Sequence, residues 1–241
     1  MVTLKMAIIF LMEQIRTPFS LIWTIMSPTV LFFFLHFNEI ELHYGDTAWL
    51  GKQISWFVGY ISFSVVLFNY CLYLVGRRES GFIATFVHNM DGRLLFIRSQ
   101  LIASLIMSIL YVFFFILVVL TGFQASPDYQ IVMIILKSIY INAFMMVSLT
   151  FMASFRVTFQ TASTIYSVLI TVCMVSGIVS LKYNEGIVYL INQVNPIFIY
   201  STILQADQEL SLMTIFFYSI MLIISVISAL TFKTEPVWSS Q

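Results

Sequence analysis

Six runs of mostly apolar residues, each about the length of a bilayer-crossing helix, decide what this chain can fold into. They are Phe19–Phe37, Ile54–Val75, Leu101–Leu120, Ile131–Phe155, Phe159–Ser180 and Leu212–Phe232. The hydrocarbon core of a bilayer is roughly 30 Å thick, and a helix rising ~1.5 Å per residue needs about 20 such residues to cross it. Water does not suit the chain, because only 9% of its residues are charged and 60% are hydrophobic. A soluble domain keeps roughly a quarter of its residues charged. The predicted fold is all-α: a single polytopic transmembrane domain over residues 1–241 with six crossings. The 24 Phe, 12 Tyr and 4 Trp suit lipid-facing helices and interfacial belts.

Lys and Arg near the span ends set the orientation. With the N-terminus inside, the cytoplasmic segments hold Lys5, Arg16, Arg77, Arg78, Arg93, Arg98, Arg156 and Lys233, and the outer segments hold Lys52 and Lys182. Glu39, Glu41, Asp46, Asp128, Glu185, Asp207 and Glu209 collect outside. The expectation is a multi-pass protein of a bacterial-type cytoplasmic membrane with both termini in the cytoplasm. The apolar stretch Met6–Met12 is short, Glu13 and Arg16 follow it, and no small-residue cleavage site is present, so no cleaved signal peptide is expected. A formal net charge of zero speaks against a nucleic-acid partner.

Two stretches depart from simple spans. In residues 1–17, Leu4, Ile8, Leu11 and Ile15 recur at helical spacing, with Lys5, Glu13 and Arg16 off that stripe. This pattern reads as an amphipathic elbow helix in the headgroup plane. Pro18 ends it and turns the chain into the first span; the other reading is a helix that runs on through a proline kink. Between Lys182 and Ser211, the apolar segment Gly186–Gln205 is interrupted at its centre by Asn192, Gln193, Asn195 and Pro196. Polar groups at that depth make a single crossing costly. Two short helices dipping into the outer leaflet over 186–206 are expected, rather than a seventh span. No internal repeat is visible.

Catalytic signatures are missing, so the chain is not expected to be an enzyme. There is no HExxH and no GxSxG. His36, His43 and His88 do not cluster with cysteines, and the stretch His36–His43 reads as a polar outer loop rather than a metal site. Cys71 and Cys173 lie inside apolar runs and read as packing residues. The nearest approach to a phosphate loop, Gly51-Lys52-Gln53, has Gln where a magnesium-holding hydroxyl is required. No cofactor or metal is expected on this chain.

The most informative loop lies between the second and third spans, from Arg77 to Arg93. Ser80 is a reasonable N-cap. Phe82, Ile83, Phe86 and Val87 form one apolar face, and Asn89 and Gly92 can stop a helix. A short amphipathic helix over 80–89 is predicted under the membrane, resting on lipid or docking into a cytoplasmic partner. Arg98, beyond Gly92, places the start of the third helix below the bilayer.

Arg16-Thr17-Pro18 ahead of a span containing Pro28, and Arg78-Glu79-Ser80-Gly81 at the loop start, resemble permeases of the type-two ABC exporter class. The six-span layout, elbow helix and outer half-helices resemble that class over almost the whole chain. Phe82 departs from the small residue that usually follows the glycine. The resemblance implies a dimer, two copies of one permease being favoured, with contacts on the first and fifth spans. It also implies a separate ABC ATPase subunit that carries ATP and magnesium. The coupling helix would be Ser80–Asn89, with Arg78, Glu79, Ser80, Gly81, Phe82 and Phe86 in the contact. The cargo it implies is amphipathic or hydrophobic: a peptide toxin or antimicrobial peptide is favoured over a lipid or drug.

Within the spans, Lys137 is the charged residue, able to snorkel outward, pair with Asp128 or face a substrate path. Asn69, Asn142 and Gln160 can bridge helices or line that path. Met145, Met146 and Met152 offer an adaptable apolar surface. The alternative function is an ATP-independent channel or secondary carrier, which the absence of Asp and Glu from the spans weakens. An intramembrane enzyme ranks behind both.

Overall fold

The computed structural model describes residues 2–16, 18–83, 89–180, 185–205 and 212–232, and contains no strand among them. The helices are α1 (Val2–Ile15), α2 (Pro18–Leu35), α3 (Thr47–Glu79), α4 (Met90–Gly122), α5 (Tyr129–Ser154), α6 (Phe159–Ser180), α7 (Gly186–Val194), α8 (Pro196–Gln205) and α9 (Leu212–Leu230). Among the described residues, α3, α4, α5 and α6 are long and apolar enough to cross a membrane. A fifth crossing is added if the bent pair α7–α8 counts as one. The described apolar parts of α2 and α9 are the shorter Thr24–Leu35 and Thr214–Leu230.

Local chemistry fixes the element ends. Asp46 accepts from the Trp49 N–H at 3.0 Å and N-caps α3; Asp128 accepts from the Ile131 N–H at 3.1 Å and N-caps α5. The Thr47 hydroxyl donates to the other Asp128 oxygen at 2.7 Å, so both helices start at the same end of the bundle, called upper here. That hydroxyl above all, with the helix N–H groups, holds the Asp128 carboxyl below its ordinary range; the Trp49 N–H leads in doing the same for Asp46. α4 runs 33 residues, about 50 Å, longer than a bilayer core is thick. It starts at Met90, well before Leu101, as the position of Arg98 predicted.

α7 and α8 meet at 79°. Asn195 sits in the break: its carboxamide donates to Cys173 O at 2.8 Å and Ser176 Oγ at 2.9 Å on α6. Its oxygen accepts from the Ile197 N–H at 3.0 Å, and Pro196 occupies the first turn of α8, where a missing N–H is tolerated. Gln205 at the far end of α8 reaches the Lys52 carbonyl at 3.3 Å, in the first turns of α3. The Gln205 end of the pair therefore lies at the upper end, where α3 begins.

Helix contacts correct the reading of α1. The stripe of Leu4, Ile8 and Ile15 is exposed and Leu11 is half-buried; the opposite face, Ala7, Phe10 and Gln14, is buried against α4 and α3. Helix α1 is therefore docked on the bundle as well as presenting an apolar face outward. Its break from α2 falls after Arg16, and α2 begins at Pro18.

α8 crosses α3 closely because residue 59 is glycine. A Cβ there would lie 2.8 Å from Tyr200 Cβ and 2.9 Å from the Ile197 carbonyl, whereas one at Gly51 meets only ordinary contacts at 3.6 and 3.7 Å. Gly59→Ala is expected to cost about 1–3 kcal/mol and to lower the unfolding temperature in detergent, with Gly51→Ala leaving it unchanged. Equal effects of the two substitutions would contradict this packing.

Candidate functional site

Three polar assemblies tie this apolar bundle together, and of the residues singled out in the sequence they hold Asn69, Asn142, Arg78, Glu79 and Phe82. The first begins with a backbone irregularity: α3 is π-helical over Val65–Leu72. Such a stretch alters the regular pairing of carbonyls and N–H groups, and in a membrane each of these must still be satisfied from within the protein. The Asn69 carbonyl accepts from Gln100 Nε2 at 2.7 Å and Ser104 Oγ at 2.9 Å on α4, and from Gln14 Nε2 at 3.3 Å on α1. The Asn69 side chain donates to the Tyr111 hydroxyl at 3.4 Å. Asn69, a candidate for the substrate path, is thus the knot joining α1, α3 and α4.

The second assembly centres on Asn142, another such candidate. Fully buried, it donates to Ser62 Oγ at 3.2 Å and Ser108 Oγ at 2.8 Å, and accepts from the Tyr200 hydroxyl at 2.8 Å. It links α5 to α3, α4 and α8.

The third lies at the lower end, where α3 finishes. Glu13 of α1 accepts from the Tyr73 hydroxyl at 2.6 Å and pairs with Arg77. The Arg77 guanidinium lies 5.0 Å from the Tyr73 ring centre and 4.8 Å from that of Phe82. Its neighbour Arg78 points the other way and is 1% exposed. It donates to the Ala153 carbonyl at 3.0 Å and the Val157 carbonyl at 2.9 Å, closing the last turn of α5 with a cation where the helix dipole favours one. Glu79 is 3.8 Å from its Nε.

The described part of the expected loop helix is its start, where Phe82 and Ile83 are helical. Ser80 is not an N-cap: its N–H donates to Gly76 O at 2.9 Å and its hydroxyl to Arg77 O at 3.0 Å, so it closes α3. Gly81 follows at φ +74°, the left-handed position that ends helices. Asn89 N-caps α4, its Oδ1 accepting from the Gly92 N–H at 2.8 Å. Phe82 packs on Phe96 and Ile83 is fully buried, so part of the predicted docking face is turned into the bundle. Arg78 is likewise spent internally. Phe86 and Val87 lie outside the described residues, as does all of 84–88.

At the upper end, Lys137 does not meet Asp128. Its ammonium reaches the Leu204 and Ile203 carbonyls at 3.3 and 3.5 Å, at the C-terminal end of α8, beside a cavity of about 500 Å³. A second cavity, about 340 Å³ and almost wholly apolar, lies among Phe63, Leu149, Met152, Cys173, Phe217 and Tyr218. Met145 and Met146 are core residues. In the loop between α2 and α3, His36 pairs with Glu39 at 2.6 Å and His43 stacks on Trp49 at 4.2 Å. No group of metal-ligating side chains occurs among the described residues.

Over all 241 residues, the chain is 98% identical to Protein McbE of Escherichia coli, whose full length it covers. The chain belongs to the McbE family. No protein-family profile matches the sequence, and no solved structure matches it.

The two adjacent arginines make a sharp test of that geometry. Arg78→Gln leaves the buried Ala153 carbonyl and the part-buried Val157 carbonyl without a charged donor and is expected to cost about 2–3 kcal/mol. Arg78→Lys restores only part, because an ammonium cannot fork to both. Arg77→Gln, which breaks a half-exposed ion pair, is expected to cost at most about 1 kcal/mol. Detergent unfolding that ranks Arg77 above Arg78 would contradict this assignment.

Proposed function

We propose that this chain is the membrane subunit of an ATP-driven exporter of an amphipathic or hydrophobic cargo, with an antimicrobial peptide favoured. It crosses the cytoplasmic membrane six times with both termini inside, and the paired helices α7 and α8 dip into the outer leaflet from the upper end. Two copies associate. A separate ATPase subunit, holding ATP and magnesium, docks against the 80–89 segment on the cytoplasmic side.

The observation that carries this reading is the anchoring of the α3 exit. Within two residues, Arg77 ties the segment to α1 through Glu13, and Arg78 ties it to α5 through the Ala153 and Val157 carbonyls. A loop that only joined two spans would need neither tie. A loop that passes motion from a partner into the bundle needs both, since displacement at its start is then shared by α1, α3 and α5 instead of being lost at a hinge. Closure of the ATPase pair around ATP would supply the differential affinity that biases the two states of the bundle. The apolar cavity beside Phe63 and Tyr218 suits a cargo with an apolar face. The resemblance of Arg78-Glu79-Ser80-Gly81 to exporter permeases supports the same reading.

The docking is testable at Met90, exposed at the start of α4 and adjoining the segment. A photo-crosslinking residue at Met90, activated in native membranes, is expected to capture an ATP-binding polypeptide that also co-purifies stoichiometrically and hydrolyses ATP. Ser80→Arg with Met90→Arg, both on exposed side chains flanking the segment, should abolish that association without loss of the folded, monodisperse membrane protein. A clean preparation with no ATPase and no such adduct would reject the exporter reading and favour a channel or carrier.

A further inference from the structure

The 500 Å³ cavity at the upper end takes no part in the scheme above. It lies between α3, α5 and α8, and its polar lining comes from Lys52, Ser55, Tyr129, Gln130, Lys137 and Gln205. Two of these are cations, and among the described residues no carboxylate lines the cavity. Asp128, just above, is committed to the Thr47 hydroxyl and the Ile131 N–H. An ammonium has three N–H groups. Lys137 directs two of them over long contacts of 3.3 and 3.5 Å to α8 carbonyls, leaving donor capacity for a third acceptor. Lys52 is exposed, and it is its carbonyl, not its ammonium, that Gln205 engages. Two lysines lining one recess between membrane helices favour an anion.

The neighbouring surface identifies the anion's carrier. Tyr129, Met133 and Lys137 line the cavity at successive turns of α5. Beside them run Val132, Leu136 and Tyr140, which are 47%, 47% and 78% exposed and make an apolar lane facing lipid. Lys137 lies about 12 Å below Tyr129, and its stem can lift the ammonium towards the headgroup level. We propose that this cavity binds the phosphate of an anionic phospholipid between Lys52 and Lys137, with the acyl chains along Val132, Leu136 and Tyr140. A peptide carboxylate would satisfy the lysines but makes no use of the lane. Because Lys137 also holds the end of α8, the bound lipid fastens the bent helix pair to α5. This inference requires only that the chain lie in a membrane; it holds with or without an ATPase partner.

The test is native mass spectrometry of the full chain in mild detergent, offered phosphatidylglycerol and phosphatidylcholine of equal chain length. The wild type is expected to retain phosphatidylglycerol with roughly tenfold preference. Lys52→Gln, a change on an exposed side chain, should lose most of that preference, Lys137→Gln should abolish it, and Lys137→Arg should keep it. No preference in the wild type, or an unchanged preference in Lys52→Gln, overturns the proposal. So does displacement of the lipid by inorganic phosphate at equal concentration, which would make this a site for free anions. Displacement by a peptide with a free C-terminal carboxylate but not by its amide would reassign the cavity to cargo.

Discussion

The carbonyl of Asn69 is the point on which the packing of this bundle turns. A π-helical stretch in the middle of a 33-residue membrane helix departs from regular backbone pairing where no water can make up the difference. The protein answers with side chains: Gln100 and Ser104 from α4 and Gln14 from α1 all donate to that one oxygen. A glutamine this deep in lipid is unfavourable without a partner, so each group makes the other tolerable. The arrangement explains why α1 sits against α4 instead of lying free at the interface, and it brings Glu13, one residue before Gln14, within reach of Arg77.

From that knot the lower end follows. With α1 fixed, the Glu13–Tyr73–Arg77 cluster forms at the last turns of α3, and Phe82 lies under the Arg77 guanidinium. Arg78, on the opposite side of the same helix, closes the end of α5. The start of the loop between α3 and α4 is thereby held from two sides. The upper end is held differently, by helix caps, by the Thr47–Asp128 contact and by the Asn195 break that folds α7 back against α8. The Asn142 cluster joins the middle of α5 to the bent pair, so the two ends are connected through hydrogen bonds as well as packing.

Much of the fold was legible in the sequence, because apolar runs of crossing length admit few alternatives. The bounds of α5 and α6 fall within two residues of the apolar runs, and Asn195-Pro196 marks the bend because that pair can cap and start a helix but cannot continue one. The second face of α1 was also present in the spacing of Ala7, Phe10 and Gln14, but the larger Leu and Ile side chains on the opposite stripe masked it. Less was legible of the site. Arg78 and Lys137 donate to backbone carbonyls, and Asn69 accepts through its own, a group that every residue has and no residue type announces. Ser80 shows the same limit: a serine next to a glycine can cap the start of one helix or the end of another, and only the pairing of its N–H with Gly76 decides between them.

The most direct test of this account is amide hydrogen exchange on the chain in lipid nanodiscs, comparing the wild type with Gln100→Leu. The account predicts faster exchange in α1 and, together with it, in Tyr73–Glu79, although Glu13, Tyr73 and Arg77 are untouched. Loss of protection confined to α4, with α1 and the end of α3 still as protected as in the wild type, would contradict the claim that the Asn69 carbonyl holds these elements together.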